Sequence, residues 1–380
     1  MMIRRLHTIT KGVCKRMKRE LIVRRLIIPL VVAFILMAPL LGAAVIGEHR
    51  YELHHPAYAG HMVAKLLGEE MPDHWDEPAF PVSAQSDVKN ILVLGRDAQA
   101  GLTDVMILVS MDAEKNSMQL IQLPRDTYAN YTSKNYKKIN GAYRTLGGTG
   151  VTEFFKHHLG VPVDRYVCVD LAVFSELVDA LGGVPIHIPA DMDYDDPAQS
   201  LHIHLNAGDQ VLNGQQAQMF VRFRSGYASA DLGRMDAQKL FLAALAKQVK
   251  ATLTLPKAVE LASGCFGKLK TNLSLRECIG CVRTMMNLEL DAVQMSTLAG
   301  QSATPKAGGA WYYIVNRESA QKQLSEAFGK EITFDPERVF TNASCDSYQN
   351  IYNAPADRFK TNRQSAQDML GGALTPTRIS

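Results

Sequence analysis

Residues 26–47, LIIPLVVAFILMAPLLGAAVIG, run for 22 positions without a charge. At about 1.5 Å per helical residue, that length matches the roughly 30 Å hydrocarbon core of a bilayer. The flank before it is one-sided: residues 1–25 hold nine Lys/Arg against a single acid, Glu20, a net +8. The whole chain carries only +3, so everything after residue 25 amounts to −5. A basic flank stays on the cytoplasmic side, which predicts a transmembrane helix at 26–47 behind a cytoplasmic tail at 1–25. Residues 48–380 are then extracytoplasmic. The competing reading, a cleaved signal peptide, has an apolar region of only about 7–15 residues. Pro29 and Pro39 are compatible with a kinked spanning helix. An acidic exterior held outside the membrane excludes nucleic acid as a partner.

Residues 48–86 mix His, Pro and acids and read as a spacer. Five of the eleven histidines fall there, but His54 and His55 are adjacent and point different ways, and no Cys or i,i+4 pair completes a metal site. From Val88 the pattern changes. VKNILVLG (88–95), DVMILVSMD (104–112) and SMQLIQLP (117–124) are apolar runs of the kind that form strands buried on both faces. Helical spacing follows at 148–160 and 171–183, around a strand at 164–171 and before another at 184–189. Helices are expected at 214–221, 231–250, 274–287 and 317–328, and strands at 292–298 and 310–316. Such alternation predicts an α/β/α sandwich with a central mixed sheet over residues 87–329. Residues 330–380 lose the periodicity and read as an irregular extension.

Charged residues recur at the strand tips, where ligands of open α/β folds bind. The first strand runs into Gly95-Arg96-Asp97, the second is preceded by Leu102-Thr103-Asp104, and the third runs into Pro124-Arg125-Asp126. Lys137-Lys138-Ile139-Asn140 comes next, then Arg222-Phe223-Arg224, and Asp231-Leu232-Gly233-Arg234 with Gln238 a turn further on. Arginine forks suit the oxygens of a pyrophosphate, and carboxylates suit a divalent cation bridging them. Arg222 and Arg224 at i,i+2 would share a face on an extended segment. Asp97 and Asp104 flank one short loop and can converge on a metal. Singly, each of these residues is most simply a surface ion pair; the repetition at strand tips is what points to a site. Gly147, Gly148 and Gly150 precede a helix without the Lys-Ser/Thr of a nucleotide loop, and read as a helix start.

The succession NILVLGRD, TDVMILVSMD, LIQLPRDTY, KKINGAY, GDQVLNGQQAQMFVRFR and DLGRMDAQ resembles the catalytic domain of the LytR-CpsA-Psr family, from about Asn90 to Phe328. The tail, single membrane helix and outer domain are similar to the family's layout. The resemblance implies a membrane-anchored phosphotransferase that moves a glycan phosphate from a polyprenyl-pyrophosphate carrier to peptidoglycan, attaching teichoic acid, capsule or a related wall polymer. It implies Mg2+ (or Mn2+) at Asp97 and Asp104. It implies pyrophosphate contacts from Arg125, Lys138, Arg222, Arg224, Arg234 and Gln238, with Arg125, Asp126, Arg222 and Arg224 as the catalytic group. The sequence departs from the family at Gln99 and Leu102, where arginines are usual, which removes two cations unless Arg96 compensates.

In this reading a sugar hydroxyl attacks the glycan-linked phosphorus and polyprenyl phosphate leaves, with Asp126 or Asp104 as base. The alternatives are a pyrophosphatase that releases glycan phosphate to water, an envelope-related transcriptional attenuator, and a glycan-lipid binding protein without activity. Phe154, Phe155, Leu159, Phe174, Leu177, Val178 and Leu181 are candidates for the wall of a lipid pocket, and equally for ordinary core. Cys278 and Cys281 form CxxC within a helix without a second pair; together with Cys265 and Cys345 they leave up to two disulfides open. Cys14 reads as a bystander thiol, and Cys168, within an expected strand, as a buried small hydrophobe.

Overall fold

The computed structural model describes residues 89–96, 101–132, 137–197, 201–227, 231–258, 266–303, 311–334, 346–359 and 362–372. The tail, the apolar run 26–47, the spacer, Asp97, Gln99, Cys265 and Cys345 lie outside the described residues. Among the described residues no helix is long and apolar enough to cross a membrane.

In chain order the strands are β1 (Asn90–Arg96), β2 (Thr103–Asp112), β3 (Ser117–Gln122), β4 (Arg165–Asp170), β5 (Val184–Ile188), β6 (Met192–Asp196), β7 (Leu201–Leu205), β8 (Gly208–Leu212), β9 (Lys270–Thr271), β10 (Val293–Thr297), β11 (Gly300–Ala303), β12 (Tyr312–Val315) and β13 (Gln364–Ser365). The helices are α1 (Ala142–Leu159), α2 (Leu171–Ala180), α3 (Gly214–Arg222), α4 (Asp231–Thr252), α5 (Leu275–Asn287), α6 (Arg317–Phe328), α7 (Asp346–Tyr352) and α8 (Ala366–Leu370). Seven strands form one sheet in the order β13-β10-β3-β2-β1-β4-β9. The pairings β1–β4 and β3–β10 are parallel and the rest antiparallel. The sheet is therefore mixed, as expected, and β1, β3, β4 and β10 all run toward the same end.

Alternation along the central strands builds two cores. Ile91, Ile107 and Val109 face a layer of α2, α3, α4, α5 and α8. Leu92, Leu94, Met106 and Leu108 face α1, α6 and α7. Helices thus cover both faces, the three-layer arrangement that buries a sheet completely. The division also separates the apolar residues considered for a lipid pocket. Phe154, Phe155 and Leu159 belong to one core, and Phe174, Leu177, Val178 and Leu181 to the other. They stand on opposite faces of the sheet and cannot line one pocket.

The helix expected at 148–160 begins earlier, at Ala142, and the glycines sit inside it. Gly147 adopts φ 69° and kinks α1, and a Cβ on Gly148 would lie 1.9 Å from the Tyr166 ring. The C-terminal extension is not wholly irregular. Residues Gln364–Ser365 pair with β10 at the sheet edge, and α8 sends Ala366 and Met369 into the core. A two-residue strand and a five-residue helix are too short to carry a period, which is why the sequence pattern does not show them. Cys278 and Cys281 are free thiols on the buried face of α5, and burial pushes the Cys278 thiol well above its usual range. The CxxC is core packing.

α3 starts against α2 with almost no gap. A Cβ on Gly214 would lie 2.3 Å from the Ser175 carbonyl oxygen, and that oxygen is backbone that cannot step aside. Gly214→Ala is expected to destabilise the protein by about 1–3 kcal/mol. Chemical denaturation measures it, and an unchanged midpoint would show that α3 tolerates displacement.

Candidate active site

The site forms at the end of the sheet toward which β1, β3, β4 and β10 run. Beyond β3, Pro124 opens a tight turn: Thr127 donates both its backbone N–H (3.0 Å) and its hydroxyl (2.6 Å) to the Pro124 carbonyl. The turn is then stapled to the segment 138–141. Asn140 N–H donates to the Arg125 carbonyl at 3.2 Å, and Ile139 N–H to that of Thr127 at 2.9 Å. The Thr103 hydroxyl closes the circuit onto the Asn140 carbonyl at 3.0 Å. Three stretches are thereby held together, and between them they deliver Asp104, Arg125, Asp126 and Lys138.

Arg125 Nη1 donates to Asp104 Oδ1 at 2.8 Å, and its Nε lies 3.4 Å from Asp231 Oδ1. Arg234, one turn along α4 from Asp231, brings Nη2 to 2.9 Å from the same Asp231 oxygen and Nη1 to 4.0 Å from Asp104 Oδ1. Two arginines and two carboxylates therefore form one alternating cluster. Arg224 stands close enough to repel the Arg234 charge. Lys138 Nζ pairs with Asp126 Oδ1 at 2.8 Å, next along the chain from Arg125.

The charges respond to this setting. Burial pulls the Arg125 guanidinium down, but Asp231, Asp104 and Asp126 outweigh it and the net movement is upward. Arg234 goes the other way. Its burial is the largest influence, with Arg125 and Arg224 adding repulsion, and Asp231 and Asp104 only partly restore the charged form. Arg234 is 4% exposed, so its charge is sustained by partners rather than by water. Arg125 Nε, Arg234 Nε and Nη2, and Asp231 Oδ1 are buried without a directed hydrogen bond, although the ion-pair distances are short. These atoms are met by charge rather than by aligned hydrogen bonds, and two guanidinium groups so gathered suit an oxyanion.

The remaining expected residues are distributed as follows. Gln238 is buried and spent within the protein: its amide donates to the Val221 carbonyl at 2.9 Å, and its oxygen accepts from Gln122 of β3. It ties β3, the end of α3 and α4 together. Arg222 is the last residue of α3 and Arg224 follows on extended backbone, so a helix end and not a continuous strand separates them. Arg96 lies where it influences Tyr143 and Cys168. Two further charged residues are engaged here. Asp231 supplies the carboxylate shared by both arginines, and its i,i+3 spacing to Arg234 was the signal. Lys239 is buried, pairs with Asp236 at 2.7 Å and donates to Thr297 at the end of β10 at 3.0 Å.

Residues 60–328 match the family model described as the LytR_cpsA_psr family. The chain belongs to that family. It is 27% identical over 235 residues to the polyisoprenyl-teichoic acid–peptidoglycan teichoic acid transferase TagV of Bacillus subtilis, covering 60% of each chain. It thus spans about three fifths of the length of that relative. The like-named TagU of Oceanobacillus iheyensis is 28% identical over 258 residues, covering 64% of this chain and 77% of its own. Among solved structures, Bacillus subtilis TagV superposes with a TM-score of 0.56 at 24% identity, over 65% of this chain and 99% of that one. A structure of TagT bound to LIIa-WTA gives 0.51 at 25% identity, over 67% of this chain and 100% of that one. The mixed α/β sheet is therefore the family's fold.

Proposed function

We propose that this LytR-CpsA-Psr protein is a membrane-anchored phosphotransferase that moves a glycan phosphate from a polyprenyl-pyrophosphate carrier to peptidoglycan. The observation that carries the proposal is the ion-paired Arg125–Asp231–Arg234–Asp104 cluster at the strand ends, with Arg234 buried and the other three partly exposed. The teichoic acid transferases named among its relatives supply the chemical class. The basic tail and the uncharged run 26–47 support a domain anchored outside the cytoplasm, where a lipid-linked donor and the wall meet.

Arg125, Arg234 and Arg224 bind the pyrophosphate oxygens and balance the charge that grows on the leaving polyprenyl phosphate. An acceptor sugar hydroxyl attacks the glycan-linked phosphorus, a new P–O bond forms, and the bond to the polyprenyl phosphate oxygen breaks. The hydroxyl proton passes to Asp126, the carboxylate next to Arg125 that is paired with Lys138 rather than with either arginine of the cluster. Hard carboxylate oxygens fit Mg2+, and Asp104 and Asp231 would hold it together with Asp97. When bound, that ion adds positive charge beside the pyrophosphate. Gln238 acts as a strut between β3 and α4. Arg222 lies in the last turn of α3, where its positive charge suits the helix dipole.

Acceptor dependence tests the proposal. With purified full-length protein and a polyprenyl-pyrophosphate glycan, transfer should require peptidoglycan. Release of glycan phosphate at the same rate without acceptor would make the protein a pyrophosphatase instead. Arg224→Ala is expected to lower transfer by about tenfold, less than loss of a cluster arginine, because Arg224 adds positive charge from beside the ion-paired cluster rather than from within it.

A further inference from the structure

A second group of metal-ligating side chains lies on the β6–β7 ribbon, outside the seven-stranded sheet. The strands pair antiparallel with Asp193 opposite His204 and Asp195 opposite His202. Their apolar residues Met192, Ile203 and Leu205 turn into the core, so both acids and both histidines share the outer face. The Asp195 carboxylate sits between the two rings. Its Oδ1 is 2.5 Å from His202 Nδ1 and 3.4 Å from His204 Nε2. Ligand atoms of Asp195, His202 and His204 all lie within 4.8 Å of one another.

The fourth residue decides the chemistry. His204 Nδ1 is 2.6 Å from Asp193 Oδ1. A carboxylate on Nδ1 makes that nitrogen the N–H and leaves Nε2 as a lone-pair donor facing Asp195. Without a cation the same rule gives His202 Nδ1 a proton shared with Asp195, which a metal ion would displace. This carboxylate–histidine relay is the usual outer support of a zinc ligand. Two imidazoles and one carboxylate favour Zn2+ and its borderline neighbours over Mg2+ or Ca2+, and three ligands on an open face leave a position for water. The neighbouring ribbon offers the contrast. There His187 Nδ1 is 2.7 Å from Asp209 Oδ1, and among the described residues no further ligand joins that pair.

We propose that Asp195, His202 and His204, oriented by Asp193, form a surface site for a Zn2+-class divalent cation, separate from the strand-end cluster. The proposal does not depend on the transferase reading. The ribbon is pinned by its buried face, so substitutions on the outer face leave the fold intact.

Zn2+ alone is the probe, titrated into chelator-stripped full-length protein in detergent against a competing chelator. His202→Gln/His204→Gln should lose one bound equivalent, or weaken it at least tenfold. Asp193→Asn should keep the equivalent and weaken it about 10–100-fold. His187→Gln should behave as wild type, and spacer histidines contribute equally to all four proteins. Co2+ should give a visible tetrahedral absorption band that the double variant lacks. Equal Zn2+ stoichiometry and affinity in wild type and the double variant would overturn the proposal, as would a wild type that takes up none.

Discussion

Arg125→Ala is expected to cut glycan transfer by about 10²–10³-fold, the loss typical of removing one preorganised donor from a site of developing charge. The reason lies in how Arg125 is held. Its backbone is fixed by the Pro124 turn and the Asn140 bond, and its guanidinium bridges Asp104 and Asp231. The fork therefore stands ready before the donor arrives. Arg125→Lys keeps the charge but loses the planar pair of donors, so only part of the rate should return. The turnover number with a lipid-linked donor reads the effect, and the melting temperature serves as control because the side chain is partly exposed. Full turnover by the alanine variant would remove Arg125 from the site.

Arg234→Met should have the larger effect on stability. It removes the most buried cation of the cluster and leaves Asp231 and Asp104 facing each other near a single guanidinium. Breaking a buried ion pair costs about 3–5 kcal/mol, and the low end applies because the Asp231 side chain keeps 26% exposure. Transfer should fall with it. Arg234→Met/Asp231→Leu separates the two roles: taking out both charges should recover most of the stability, since apolar replacement of a buried pair is often neutral, while transfer stays lost. Urea denaturation and turnover measured on the same samples check both. A double variant that regains transfer would mean the pair is only structural.

Much of this architecture is legible in the chain. β1, β2 and β3 are apolar runs that fit only a strand buried on both faces, and α2, α3, α4, α5 and α6 follow from helical spacing. Asp104, Arg125 and Arg234 could be picked out because charge recurs at the tips of apolar strands. Asp231 was harder, because its role depends on Arg125 arriving from β3, more than 100 residues earlier. Gln238 has a structural role that spacing does not show. Its position one turn beyond Arg234 suggests a ligand, yet its amide is consumed by Gln122 and Val221. The ligands of the β6–β7 ribbon are visible in the chain as DxD and HxH, but only the strand register sets the acids opposite the histidines.

By itself, then, the sequence determined the layers, the basic tail before an uncharged run, and the family of the domain. These depend on periodicity and local charge, which neighbours in the chain carry. Tertiary structure alone decided which charges meet, which face of the sheet each apolar residue serves, and that residues 364–370 complete the sheet edge and core. Those outcomes depend on contacts between distant segments. An arginine's partner is set by where the backbone brings a carboxylate, not by the residues beside it in the chain.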